Sequence, residues 1–417
     1  MTHRVRRNTA KTTIALAAAS LAVGLSGGAG LGPAGADPTP SLHPSAAPRH
    51  QVATWGASAD RTSASVDDQT VRNIVHTSVA GQDLRVSLSN AFGDQPLTFD
   101  TVYVGRQLEG ASLVPGSNRQ LTFSGRTSVT IPPGAEVLSD PLPGRTPPTT
   151  DLAISVHLDG ATQSVTGHNL AEQTSYVSNA GDHAGEESAT AFTTTITDWY
   201  WVDAVVVTEP KRLDTLVTFG DSITNGNHST VGANRRWPDD LARRLLTLPT
   251  RRRFAVMNEG ISGNRVLVDS SGESAQARFD RDVLAQPDVE TVILLEGIND
   301  IRHDNATSAG QLIAAYRQLI SRAHADGVCI IGGTMTPFKG SGRYTPRREA
   351  IRQAVNHFVR TTGDFDSFVD FDKATRDPQH PQRFLPAYDS GDSLHPNDAG
   401  YHAMAHAVQL RQLDCHR

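Results

Sequence analysis

Between residues 51 and 209 the chain alternates apolar and polar positions in short stretches. Leu84-Arg85-Val86-Ser87-Leu88-Ser89, Val102-Tyr103-Val104, Ser128-Val129-Thr130-Ile131 and Leu152-Ala153-Ile154-Ser155-Val156 are examples, with Gly, Pro or Asn turns between them. A period of two places one face of a strand in a core and the other toward water. No long helical period interrupts the series. The pattern predicts an all-β sandwich, jelly-roll-like, over residues 51–209.

After Glu209-Pro210 the pattern changes. Thr215–Phe219, Phe254–Met257, Thr291–Leu295, Val328–Ile331 and Phe368–Phe371 are short apolar runs suited to strands buried on both faces. Helical stretches separate them. In the clearest, from about Ser308 to Asp326, Leu312, Ile313, Tyr316, Leu319, Ile320 and Ala323 share one face and Gly327 is the stop. Strands alternating with helices predict an α/β domain over residues 210–417, with a parallel sheet between two helical layers. Ligands of such sheets bind beyond the carboxyl ends of the strands.

The N-terminus adds an address. Arg4, Arg6, Arg7 and Lys11 precede an apolar run from Ile14 to Leu25, and Ala34-Gly35-Ala36 offers a small-residue cleavage site. Residues 1–36 read as a signal peptide and 37–50, rich in Pro, Ser and Ala, as a flexible leader, so the expected location is extracellular. Arg6-Arg7 leaves both general and twin-arginine export open. Nothing after residue 36 approaches the apolar length of a membrane span. Removing the signal peptide's four basic residues leaves 34 basic against 44 acidic, a balance of −10. The one basic run, Arg251-Arg252-Arg253, reads as a solvated loop, so nucleic acid is not an expected partner. Export allows Cys329 and Cys415 to pair, but Cys329 lies in an apolar run where a free buried thiol is equally at home.

Candidate chemistry gathers where the apolar runs of the α/β half end. The first ends in Gly220-Asp221-Ser222, where a serine at a strand-to-helix turn can present its hydroxyl beyond the sheet. Alone the tripeptide is weak, since Asp and Ser are ordinary cap residues. The second ends in Asn258-Glu259-Gly260-Ile261-Ser262-Gly263-Asn264-Arg265 and the third in Gly297-Ile298-Asn299-Asp300. Near the C-terminus stands Asp392-Ser393-Leu394-His395, in which a carboxylate three residues before a histidine can orient its imidazole.

These four turns, in this order, resemble the blocks of the GDSL family, the SGNH hydrolases, over about residues 212–410. The resemblance implies a serine ester hydrolase in which Ser222 is the nucleophile, His395 the general base and Asp392 its orienting carboxylate. It implies an oxyanion hole of the Ser222 and Gly263 N–H groups with the Asn299 amide, and a reaction needing no metal or organic cofactor. Asn264-Arg265 departs from the Asp and Thr that many members carry there, which bears on local loop contacts.

Several rivals compete for these roles. Asp300-Ile301-Arg302-His303 repeats the Asp–x–x–His spacing, and His402 and His406 lie four apart, as metal ligands on a helix can. The pair lacks a third ligand and reads as helix surface or core. Glu296 could touch a substrate but fits a strand-end hydrogen bond better. Trp55, Trp199 and Trp201 could form a sugar-stacking platform, although aromatics at strand positions usually fill a core. The expected substrate is a small-molecule or polysaccharide ester, either an O-acetylated carbohydrate or a short-chain acyl ester. The alternatives are a lipase or phospholipase, an acyltransferase using the same triad, and an inactive carbohydrate-binding protein. The sequence does not define the oligomeric state.

Overall fold

The computed structural model describes residues 50–209 and 213–415. The expected signal peptide, the leader up to residue 49 and the connecting residues 210–212 lie outside that range. No helix among the described residues is long and apolar enough to cross a membrane.

The N-terminal half is all β, in two main antiparallel sheets. One is built around β1 (His50–Gly56), β3 (Gly81–Ser89) and β7 (Val202–Glu209), in the order β1-β7-β3. The other is built around β2 (Val66–His76), β4 (Leu97–Glu109), β5 (Asp151–Thr162) and β6 (Ser175–Ala180), in the order β6-β2-β5-β4. Val52, Val86, Val205 and Val207 from the first sheet share a core with Val71, Phe99, Val102, Ile154 and Val156 from the second. The expected alternation is therefore present.

In β1 and β7 the alternation breaks down, because both faces are covered. Val52 and Val205 face the sandwich core, while their neighbours Ala53 and Ala204 belong to the apolar core of the C-terminal half. Ala57 bridges to Asn258, the Ser78 hydroxyl accepts from Val256 N–H at 3.0 Å, and the Ser58 hydroxyl donates to Glu259 Oε2 at 2.7 Å. The described residues form one compact unit.

The C-terminal half is a five-stranded parallel sheet. Its strands are β8 (Asp214–Gly220), β9 (Phe254–Gly260), β10 (Val289–Leu295), β11 (Cys329–Gly333) and β12 (Ser367–Val369), in the order β9-β8-β10-β11-β12. Helices α1 (Ser222–Asn225), α2 (Trp237–Leu246), α3 (Ala275–Phe279), α4 (Ile298–Arg302), α5 (Ala309–Ala325), α6 (Pro346–Thr361), α7 (Phe371–Thr375) and α8 (Asp398–Ala407) follow the strands. Of these, α2, α7 and α8 pack together, as do α3, α5 and α6. This is the parallel-sheet α/β architecture expected of the C-terminal half.

Register decides where chemistry can gather. Gly220 pairs with Gly260 on one side and with Leu295 on the other, so β8, β9 and β10 end level. The first strand lies between the second and the third, where the order reverses. That is the crevice in which open parallel sheets bind ligands.

Cys329 and Cys415 are joined in a disulfide with Cα atoms 6.0 Å apart, tying the C-terminal tail to β11. The sequence had left the pairing open. Trp55, Trp199 and Trp201 are at most 5% exposed, so they form no sugar platform. Trp55 and Trp199 meet edge to face at 4.9 Å, and the Trp199 indole N–H donates to the Ile74 carbonyl.

Candidate active site

Ser222 opens α1 directly after β8. Asp221 is the N-cap, its carboxylate accepting from Ile223 N–H at 2.9 Å, and Gly226 ends the helix at φ +103°. The turn is tight. A Cβ at Gly220 would stand 2.2 Å from the Leu295 carbonyl oxygen, so only glycine brings the serine this close to β10.

His395 arrives from the segment before α8. Its Nε2 lies 2.8 Å from Ser222 Oγ and its Nδ1 lies 2.6 Å from Asp392 Oδ2. The other Asp392 oxygen accepts from the backbone N–H groups of Leu394 and His395. Burial alone would raise the Asp392 carboxyl. The hydrogen bonds from the His395 ring and backbone outweigh it and hold the group well below the usual carboxylate range. A carboxylate that stays ionised keeps one imidazole nitrogen protonated and leaves the other to accept the serine proton.

Gly263 follows β9 at φ +83°, and a Cβ there would stand 2.6 Å from the Ser271 hydroxyl. Asn299 lies in α4 and is 4% exposed, with its amide donating to the Asn264 carbonyl at 3.0 Å. Every sequence-selected site residue thus lies beyond the carboxyl ends of the three central strands or in the loop that closes over them.

The rival pairs do not form a second site. Asp300 is buried and accepts from the N–H groups of Val266 and Leu267, so it holds the loop after Gly263 and does not orient His303. His303 is exposed, and its N–H donates to the Asn299 carbonyl. His402 and His406 are both exposed on α8, with His402 Nδ1 3.3 Å from Asp240. Glu296 has no solvent exposure, which removes it from substrate contact. One of its oxygens accepts from Gly297 N–H, and burial pushes its carboxyl up.

Three residues of the site were not legible beforehand. His228 stacks on His395 with ring centroids 5.1 Å apart, and its Nε2 lies 3.5 Å from Asp392 Oδ2. Beside it, burial pushes the Glu172 carboxyl of the sandwich up, with the His228 backbone N–H acting against the rise. Asn264, the departure from the family pattern, is fully buried. Its amide donates to the carbonyls of Ser271 and Glu273, both at 2.8 Å, which closes the loop carrying Gly263. Arg278, also fully buried, donates to the carbonyls of Gly220 and Glu259, to Asn264 Oδ1 and to the Ser58 hydroxyl, and pairs with Asp282 at 3.0 Å. An arginine in a short helical run carries no such signal in sequence, because its partners come from four separate segments.

This geometry is that of a serine hydrolase. Residues 218–403 match the GDSL-like Lipase/Acylhydrolase family. The protein is accordingly a serine ester hydrolase. Solved structures similar to this chain include an acetylxylan esterase from Geobacillus stearothermophilus, at 24% identity over 48% of this chain and 94% of that one, TM-score 0.37. Another is a protein assigned to the G-D-S-L lipolytic family from Desulfitobacterium hafniense DCB-2, at 20% identity over 48% and 99%, TM-score 0.38. A third is assigned as an arylesterase from Agrobacterium tumefaciens str. C58, at 19% identity over 47% and 96%, TM-score 0.37. No curated protein matches the chain.

Proposed function

We propose that the protein is a secreted carboxylic ester hydrolase that works through an acyl-enzyme on Ser222 and acts on short-chain acyl esters, O-acetylated carbohydrate among them. The observation that carries this reading is the continuous line from Ser222 Oγ to His395 Nε2 (2.8 Å) and from His395 Nδ1 to Asp392 Oδ2 (2.6 Å). His395 takes the serine proton as Oγ adds to the ester carbonyl. The tetrahedral oxyanion is held by the N–H groups of Ser222 and Gly263 and by the Asn299 amide. The carbon–oxygen bond to the alcohol then breaks, and the alcohol leaves with the proton from His395. Water, deprotonated by His395, releases the acid and restores the serine.

Secretion is supported by the basic start, the short apolar run and the small-residue exit of residues 1–36. A short acyl group is supported by the near-complete burial of Ser222, 5% exposed, between the oxyanion loop and His395.

Fluorophosphonate labelling followed by mass spectrometry tests the assignment. The adduct is expected on Ser222, and Ser222→Ala is expected to lose both labelling and turnover of p-nitrophenyl acetate. A label on another serine, or an active Ala variant, overturns the reading.

A further inference from the structure

A cleft of about 810 Å³ opens between the sandwich and the loop that carries Gly263. That is within the size range of sites for multi-atom ligands. The sandwich contributes Asp60–Ser63, Phe92 and His168–Leu170 to it, and the catalytic half contributes Ile261, Ser262 and Asp269–Glu273.

Leu170 marks the cleft as built for a purpose. It is held at φ +56°, a left-handed conformation costly to a branched residue, and its side chain is 47% exposed on the cleft wall. Its N–H donates to Asp198 and its carbonyl accepts from the Asn225 amide at 2.7 Å. Asn225 closes α1, three residues after Ser222. The strained backbone is therefore fastened from both halves of the molecule, and an apolar side chain is presented where one would otherwise be buried.

Position assigns the cleft to one side of the ester. Ser262, on its floor, immediately precedes Gly263 and hydrogen-bonds Asn225 and Asn227. Asn227 adjoins His228, which stacks on His395. The cleft thus adjoins the loop that carries Gly263, and Ser262 in its wall is hydrogen-bonded to the segment that leads from α1 to His228 beside His395. Chemistry narrows the ligand. The exposed groups of Ser63, Asn169, Ser270 and Ser271 offer donors and acceptors beside the apolar surfaces of Phe92 and Leu170. Three carboxylates, Asp60, Asp269 and Glu273, stand against Arg61 and against Arg281, which pairs with Glu273 and lies over the Phe92 ring. That balance offers phosphate or uronate groups no excess of positive charge, and the polar walls suit hydroxyls better than an acyl chain.

We propose that this cleft binds the alcohol part of the ester and that this part is an uncharged polyol, in chemistry a sugar chain. The proposal rests on Ser222 and His395 acting as described above.

The test compares acetylated xylo- and cello-oligosaccharides with p-nitrophenyl acetate, whose alcohol is too small to span the cleft. Ser63→Trp fills the cleft from the sandwich side, and Asn169→Ala removes a polar contact without adding bulk. In both, the ratio of kcat/KM for the oligosaccharide to that for p-nitrophenyl acetate is expected to fall, by about tenfold in the Trp variant, with the loss carried by KM. An unchanged ratio overturns the proposal. So does a wild type that turns over p-nitrophenyl acetate but no acetylated oligosaccharide, or variants that shift acyl-chain preference instead. Failure of the Ser222 assignment is separately visible, because the fluorophosphonate adduct would then lie elsewhere.

Discussion

Arg278 Nη1 donates to the Ser58 hydroxyl at 2.9 Å, and that hydroxyl in turn donates to Glu259 Oε2 at 2.7 Å. Through this contact the sandwich reaches the guanidinium that holds the Gly220 and Glu259 carbonyls and Asn264, and so both loops beside Ser222. The sandwich is structurally part of the catalytic half. A chain beginning at residue 213 would expose the faces now covered by Ala53 and Ala204 and leave Glu259 without its hydroxyl partner. It is expected to be poorly soluble or to melt below the full-length protein. Equal melting temperatures by calorimetry would show that the contact carries no stability.

The two Asp–x–x–His pairs separate by kinetics. His395→Ala is expected to cost on the order of 10⁴–10⁶ in kcat, the range for loss of a triad member. Asp392→Asn is expected to be severe but milder, because an unoriented imidazole remains a base. His303→Ala should keep most activity, since His303 is exposed and Asp300 serves Val266 and Leu267. Side-by-side kcat measurements decide it, and a crippled His303 variant beside an active His395 variant reverses the assignment.

Asn299→Ala should lower kcat by about 10²–10³ with a much smaller change in KM, as removal of one oxyanion donor does. The amide also donates to the Asn264 carbonyl, so Asn299→Asp, which keeps the size and loses the donor, serves as the companion variant. Normal kcat in both would reduce Asn299 to a structural role.

Behind Ser222 lies a group of buried acids whose effect on stability has a definite sign. Burial pushes the Asp221 carboxyl up to about 7, against the hydrogen bond from Ile223 N–H, and burial also raises Glu259, Glu296 and Asp300. For a carboxyl raised in the folded state, the stabilisation is complete below the unfolded value of 3.8 and is lost as pH rises through the folded one. These carboxyls are therefore expected to contribute a loss of stability between about pH 4 and pH 7, against the opposite contribution of the buried His168, which burial lowers. Asp221→Asn should flatten that decline, by at most about 1.4 kcal/mol per pH unit for one group. Denaturant unfolding across the range checks this, and a slope unchanged in the variant would remove Asp221 from the account.

The sequence by itself marked the change of pattern near residue 210, the order of four loop motifs and the candidate site residues. Period-two alternation and short doubly apolar runs are local signals that survive without tertiary context, and Ser222, Gly263, Asn299, Asp392 and His395 sit at turns that end such runs. It could not say that β1 and β7 bury both faces, because nothing local tells an alanine facing water from Ala53 or Ala204 facing a second core. The Cys329–Cys415 bond and the buried state of Trp55, Trp199 and Trp201 likewise needed the packed molecule. The same holds for Arg278, His228 and Asn264. Their roles consist of hydrogen bonds and ring contacts to segments far away in the chain, and only the level ends of β8, β9 and β10 bring those segments to one place.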